Sequence, residues 1–243
     1  MIKTDTDKIA AIEAIRNQLG NRVVSGSEFL RLHETRDTRA ATGLSGLNEQ
    51  LGGGLPRGQL TEIVSSGEGG GAGLGGSGLG GSGLVFAELL AQARRERRYV
   101  MLFDVGCGFT PESFPEPDLE ALLWVGCESA QQAVEALDIA SRDENFQLFL
   151  LDLRGCEPSD WSNVRANQWY RVLGQLRPRE AMAVIFARKA VTAASKHRLS
   201  VTANLSADSL DRERSVLLGE CRFEPMAFPS STVVSPAVER WVG

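Results

Sequence analysis

The stretch Gln59–Leu84, QLTEIVSSGEGGGAGLGGSGLGGSGL, decides how the rest of the 243-residue chain is read. A short apolar run, Leu60 to Val64, breaks into a segment from Ser65 to Gly83 in which eleven of nineteen residues are glycine, and a helical pattern resumes at Val85. Strand, glycine loop, helix is the order in which nucleotide-binding proteins cradle phosphate on backbone N–H groups. Such a loop also needs a lysine to reach the outer phosphates and a Ser or Thr hydroxyl for magnesium. This one holds neither lysine nor threonine, and the chain's four lysines, Lys3, Lys8, Lys189 and Lys196, are all remote from it. The excess length is a tandem repeat, GLGGS at Gly73–Ser77 and again at Gly78–Ser82. Each glycine costs a helix about 1 kcal/mol relative to alanine, so a long mobile loop is expected in place of the first helical turns. Two readings of the repeat stay open: drift by slippage after the site fell out of use, or a flexible lid anchored by Leu74, Leu79 and Leu84.

Outward from the loop, apolar runs and helical patterns alternate. Ser45 is placed to cap a short helix through Leu51, and Gly52 to Gly54 make a turn before the strand Leu60–Val64. Leu84 to Arg98 reads as a helix with Arg94, Arg95, Arg97 and Arg98 at its C-terminal end, where cations suit the helix dipole. Strands follow at Tyr99–Phe103, ending in Asp104, and at Leu122–Val125. Ser129 and Gln132 form a capping box for a helix to about Arg142. Phe146–Leu151, a continuous apolar run ending in Asp152, reads as a strand buried on both faces that stops at a ligand crevice. A helix from about Asp160 to Leu176 and a strand at Ala183–Ala187 continue the alternation, which specifies a mostly parallel sheet covered by helices on both sides. Leu199–Leu205 and Val216–Phe223 predict an antiparallel hairpin extending that sheet.

Three regions result: residues 1–40, an N-terminal helix and linker; 41–224, the core; and 225–243, a tail that Trp241 could anchor. The N-terminal helix carries an apolar stripe with Ile9 and Ile12, which packs either on the protein's own core or on a partner. With 42% hydrophobic and 23% charged residues, the composition suits one core of about 180 to 200 residues with arms. A formal charge of −5 argues against coating nucleic acid by bulk charge. No apolar run approaches the roughly 18 to 20 residues of a membrane span, and Met1–Gly20 lacks a signal-peptide centre, so a cytoplasmic protein without membrane contact is expected. The scattered Cys107, Cys127, Cys156 and Cys221 suggest neither a zinc site nor a disulfide framework.

TGLSGLNEQLGGGLPRGQLTEI, Thr42 to Ile63, resembles the segment that leads into the ATP site of RecA-like recombinases. The likeness runs in order through LFD at Leu102–Asp104, LLWVGCESAQQAVEAL at Leu122–Leu137 and FLLD at Phe149–Asp152, the Walker B place, covering roughly residues 42–187. Within that superfamily the chain is similar to the ImuA group, accessory proteins of bacterial inducible mutagenesis related in outline to the cell-division inhibitor SulA. The resemblance implies a RecA-like three-layer α/β/α core with a mostly parallel central sheet and a C-terminal antiparallel hairpin.

Aligned on that pattern, the phosphate loop is Ser66, Gly67, Glu68, Gly69, Gly70, Gly71 and Ala72, with the lysine and hydroxyl places at about Gly71 and Ala72. The carboxylate that activates water has its place at about Gly106, which has no side chain. No catalytic residue, cofactor or metal is therefore expected. Asp152 stands at the Walker B-like position, with a residual metal role or a local pairing both open. In RecA-like proteins the loop after the last core strand touches single-stranded DNA; here it is RKAVTAASKHR, with Arg188, Lys189, Lys196 and Arg198. Such a loop either holds a few phosphates weakly or is merely solvated. The resemblance implies an adaptor of an SOS-induced translesion-synthesis complex in DNA repair. Its partners would be an ImuB-like Y-family polymerase homologue and an error-prone replicative-type DNA polymerase subunit, with RecA and single-stranded DNA as further contacts. The alternative is a RecA-like ATPase or recombination factor with an atypical phosphate loop.

Overall fold

In the computed structural model, which describes residues 39–65, 81–156, 158–203, 205, 209 and 211–227, the elements follow one another as strand and helix by turns. They are β1 (Arg39–Ala40), α1 (Ser45–Gln50), β2 (Leu55–Pro56), β3 (Leu60–Val64), α2 (Ser82–Arg95), β4 (Tyr99–Val105), α3 (Glu116–Leu119), β5 (Leu122–Cys127) and α4 (Ala130–Ala140). Then come β6 (Phe146–Asp152), α5 (Pro158–Ser162), α6 (Ala166–Arg179), β7 (Met182–Ala187), β8 (His197–Thr202), α7 (Arg214–Leu218) and β9 (Arg222–Pro225). All belong to a unit that begins at Arg39. The expected N-terminal helix with Ile9 and Ile12, the phosphate-loop residues Ser66, Gly67, Glu68, Gly69, Gly70, Gly71 and Ala72, most of the GLGGS repeat, and Trp241 lie outside the described residues.

Strands β3 to β9 make one seven-stranded sheet in the order β5-β4-β6-β7-β3-β8-β9, all neighbours parallel except β8 and β9. β1 and β2 pair separately as a small antiparallel ribbon. The central strands β3 and β7 are buried at every residue, which is why β7 is an unbroken apolar run and β3 is apolar apart from the buried Thr61 and Glu62. One apolar cluster gathers α4, α5 and α6 on one face through Val134, Leu137, Trp161, Trp169 and Leu176. A second gathers α1 and α2 on the other through Leu47, Phe86, Leu89 and Leu90. The result is a helix, sheet, helix sandwich. Phe86, 2% exposed, packs against Phe109, Phe114 and Phe186 with ring centroids 5.5–5.8 Å apart, and burying a side chain of that size contributes about 1.5–3 kcal/mol.

Several expected boundaries shift for local reasons. Ser45 does not cap α1: the cap position is Leu44, and Thr42 Oγ1 accepts the Leu44 N–H at 3.2 Å while bonding Asn48 Oδ1 at 2.8 Å, so threonine pins the helix start from outside it. Helix α2 takes in Ser82 and Gly83 because Gly81, at φ 85°, supplies a left-handed turn into it. Ser129 caps α4 as expected, accepting the Gln132 N–H at 3.2 Å. The single helix expected over residues 160–176 is two, α5 and α6, with Arg165 N–H donating to Gln168 Oε1 at 3.0 Å where the second begins. The expected C-terminal hairpin is corrected most. β8 and β9 do pair antiparallel, Leu199 against Pro225 and Thr202 against Arg222, but Val216–Leu218 is helical, and β8 also pairs parallel with β3.

Candidate functional site

Because β7 lies between β3 and β6, their C-terminal ends stand in a row: Val64 is level with Ala187, and Asp152 with Phe186. Ser65 follows β3 and donates its N–H to Ala187 O at 3.0 Å. The far end of the glycine segment returns to the same spot, where Ser82 Oγ, on the first residue of α2, donates to Ser65 Oγ at 3.3 Å. This is the carboxyl edge of a parallel sheet beside a helix start, the position at which α/β proteins take ligands.

That position is filled by the chain's own cation. Arg154, 9% exposed, turns back over the end of β6 and grips Asp152 with both arms of its guanidinium. Nε donates to Oδ1 at 2.9 Å and Nη2 to Oδ2 at 2.6 Å, and the Arg154 backbone N–H adds a bond to Oδ1 at 3.0 Å. Nη1 reaches across to Ser82 Oγ at 3.2 Å. The Phe86 and Phe186 rings lie 6.0 and 5.6 Å from the guanidinium carbon, within cation–π range. Of the two roles open for Asp152, the geometry is that of local pairing: both carboxylate oxygens are taken by Arg154. Among the described residues no group of three His, Cys, Asp or Glu side chains is placed to hold a metal ion.

The position that the resemblance aligns with a water-activating carboxylate is built for glycine. Asp104, fully buried, accepts the N–H groups of Gly108 and Phe109 at 3.1 Å each, folding the chain sharply after β4. In that turn Gly106 has φ 85° and Cys107 φ 53°. A side chain at 106 would have to adopt a left-handed backbone that L-residues disfavour, so the turn itself favours glycine there.

The basic loop after β7 divides into two kinds of residue. Arg188, Lys189 and Lys196 are exposed. Arg198 is not available to a phosphate: its side chain is 3% exposed and forms a bidentate pair with Glu62, itself 0% exposed, at 2.8 and 2.9 Å. Glu62 also accepts the N–H groups of Val191 at 3.0 Å and Thr192 at 3.1 Å, and Arg198 donates to Thr192 O at 2.7 Å. The loop is thereby tied to the middle of β3. Arg198 leaves the set of candidate DNA contacts and becomes the anchor of the loop that carries the others.

Arg154, Glu62, Ser65 and Ser82 are the residues that sequence reasoning did not single out. Their signals were present: Asp152 and Arg154 stand two apart at the end of an apolar strand, and a glutamate within the buried run LTEIV requires a partner. Cys107 is exposed, whereas Cys127, Cys156 and Cys221 are buried free thiols. Burial pushes the Cys156 and Cys221 thiols up to about 11. A separate polar cavity of about 560 Å³ lies beyond β8, lined by Thr202, Ser209, Arg212, Glu220 and Arg222, with Arg212 and Glu220 paired at 2.5 Å.

The geometry defines a class: an α/β protein with a seven-stranded, mostly parallel sheet whose ligand edge is closed by an internal Arg–Asp pair. In comparisons with known proteins, no family model and no curated sequence matches the chain. No helix among the described residues is long and apolar enough to cross a membrane.

Proposed function

We propose that the protein is a non-catalytic adaptor on a RecA-like core, of the ImuA type, serving translesion synthesis in the damage-induced mutagenesis response. The observation that carries this reading is the closure of the Asp152 carboxylate by Arg154. A phosphate–magnesium site needs that carboxylate free and a lysine beside it, and here the one is occupied and the other has no counterpart in the segment from Ser65 to Gly83. The glycine-adapted turn at Gly106 supports the same conclusion, because it withholds a general base. What is left of the resemblance is a scaffold, and a scaffold acts through its surfaces. Its partners on this reading are an ImuB-like Y-family polymerase homologue and an error-prone replicative-type DNA polymerase subunit in the cytoplasm, with RecA and single-stranded DNA as secondary contacts through Arg188, Lys189 and Lys196.

Two measurements test it together. The full chain should co-purify with an ImuB-like homologue, and its melting temperature should not move with ATP and magnesium. ATP turnover above background, abolished by Asp152→Ala, would replace the adaptor with the ATPase reading. Failure to associate with either polymerase component would remove the translesion assignment.

A further inference from the structure

The carboxyl edge of the sheet is closed over β6, but on the other side of β3 it opens into a cavity. Val64, the last residue of β3, is level with Ser200, so β8 carries on past that row to Thr202. β9 runs antiparallel to β8 and therefore begins at the same edge, with Arg222 paired against Thr202. Directly paired residues send their side chains to one face of a sheet, with Cβ atoms about 5 Å apart. Here that face is turned away from the core: the alternate pair, Val201 with Phe223, is buried, whereas Thr202 and Arg222 are exposed. Both line the 560 Å³ cavity, and the chain before β9 adds Arg212, Gly219 and Glu220 to its walls. The glycine segment ends beside it, since a Cβ on Gly81 would stand 3.1 Å from the Cβ of Ala203, a further wall residue.

The charges on these walls are two guanidiniums against one carboxylate. Glu220 accepts from Arg212 Nη1 at 2.5 Å, which orients the Arg212 fork and leaves further N–H groups on it. The Arg222 side chain has no hydrogen-bond or ion-pair partner among the described residues. On a chain with a net charge of −5, this is a local reversal of sign inside a concave site.

We propose that the cavity beyond β8 binds a small phosphomonoester. Its phosphate lies between Arg212 and Arg222 and takes the Thr202 hydroxyl, and a polyhydroxylated body of sugar size fills the remaining volume beside Ala203 and Gly219. Two guanidiniums and a hydroxyl offer more donors than one carboxylate uses, and the three terminal oxygens of a phosphate accept them. The volume falls within the range of small-molecule sites and exceeds what inorganic phosphate alone would fill. Because the carboxylate of the wall is already paired with Arg212, guanidinium groups rather than magnesium neutralise the ligand.

The proposal goes beyond the adaptor reading and does not depend on it. The probe is ribose 5-phosphate, titrated calorimetrically into the full chain at low salt without magnesium, with ribose, gluconate and inorganic phosphate as comparisons. Ribose 5-phosphate should bind saturably at one site, inorganic phosphate more weakly, and ribose not at all. Arg222→Gln and Arg212→Gln should each weaken binding by at least about tenfold, the loss that follows removal of a charge-assisted hydrogen bond. Glu220→Gln should tighten it, because a repelling charge goes and the Arg212 fork is released. All three side chains are at least partly exposed, so the exchanges leave the core intact. Absence of saturable binding, or binding that neither arginine variant weakens, would overturn the proposal. So would gluconate binding as tightly as ribose 5-phosphate, which would assign the site to carboxylates, or a Glu220→Gln variant that binds less well. Polymerase association lost with ribose 5-phosphate binding intact would remove the adaptor assignment alone.

Discussion

Replacing Arg154 by methionine removes a guanidinium that makes three side-chain hydrogen bonds, two to Asp152 and one to Ser82, while keeping an apolar stem against Phe86 and Phe186. What stays behind is a carboxylate 5% exposed, with only the backbone N–H of residue 154 still donating to it among the described residues. Breaking a buried pair from one side costs about 3–5 kcal/mol, because the surviving charge is left without compensation. For a domain of this size that corresponds to a fall in melting temperature of about 6–20 °C. Arg154→Met/Asp152→Asn removes both charges, and should recover about 0.5–3 kcal/mol relative to the sum of the single changes, the range of coupling between directly bonded groups. Urea unfolding of the four proteins closes the cycle. A loss below about 1 kcal/mol for Arg154→Met, or a double variant that costs the full sum of the two singles, would refute the view that this pair closes the ligand edge. ATP with magnesium should stabilise neither Arg154→Met nor the parent, since freeing Asp152 does not restore the absent lysine.

The basic loop and the thiols give further outcomes. Arg188→Ala/Lys189→Ala/Lys196→Ala should leave stability within about 0.5 kcal/mol per exposed site and reduce any affinity for single-stranded DNA together with its salt dependence. Arg198→Met, by contrast, should cost about 3–5 kcal/mol in urea unfolding by stranding Glu62 in the core. Cys107 should react first with a thiol reagent at pH 8, with Cys127, Cys156 and Cys221 labelled only on unfolding. Cys156 and Cys221 are raised from 9.0 to about 11, so the folded state holds their protons more tightly than the unfolded chain does. Their stabilising effect is whole below pH 9 and is lost as pH rises towards about 11. Unfolding midpoints across that window should fall less steeply in Cys156→Ala/Cys221→Ala than in the parent.

The layered α/β architecture was legible because its strongest signal is local: Leu148–Leu151 and Ala183–Ala187 are apolar without alternation, and only strands covered on both faces need that. The capping box at Ser129 was legible for the same reason. The helix at Val216–Leu218 was not, since β-type composition there competes with a five-residue helix whose start depends on tertiary setting. Asp152 was picked out as a site residue, but its occupant, two positions further on, was not, because whether an arginine bends back or points to solvent is decided by the Phe86 and Phe186 rings, which are distant in sequence. Arg198 was misjudged for a related reason. In a run of basic residues, position alone does not reveal which of them faces a buried glutamate 136 residues away.

Glu62 and Arg198 are also direct neighbours in the pairing of β3 with β8, alongside Thr61–His197 and Ile63–Leu199. Hydrophobic side chains alone would hold two such strands together almost equally well when slid by two residues, since every face assignment survives the slide. The ion pair does not survive it: Arg198 would come opposite Leu60 or Val64, and Glu62 would lose its guanidinium. It therefore acts as a key cut for one alignment, and every residue of β9, which is laid down against β8, inherits its place from that single match.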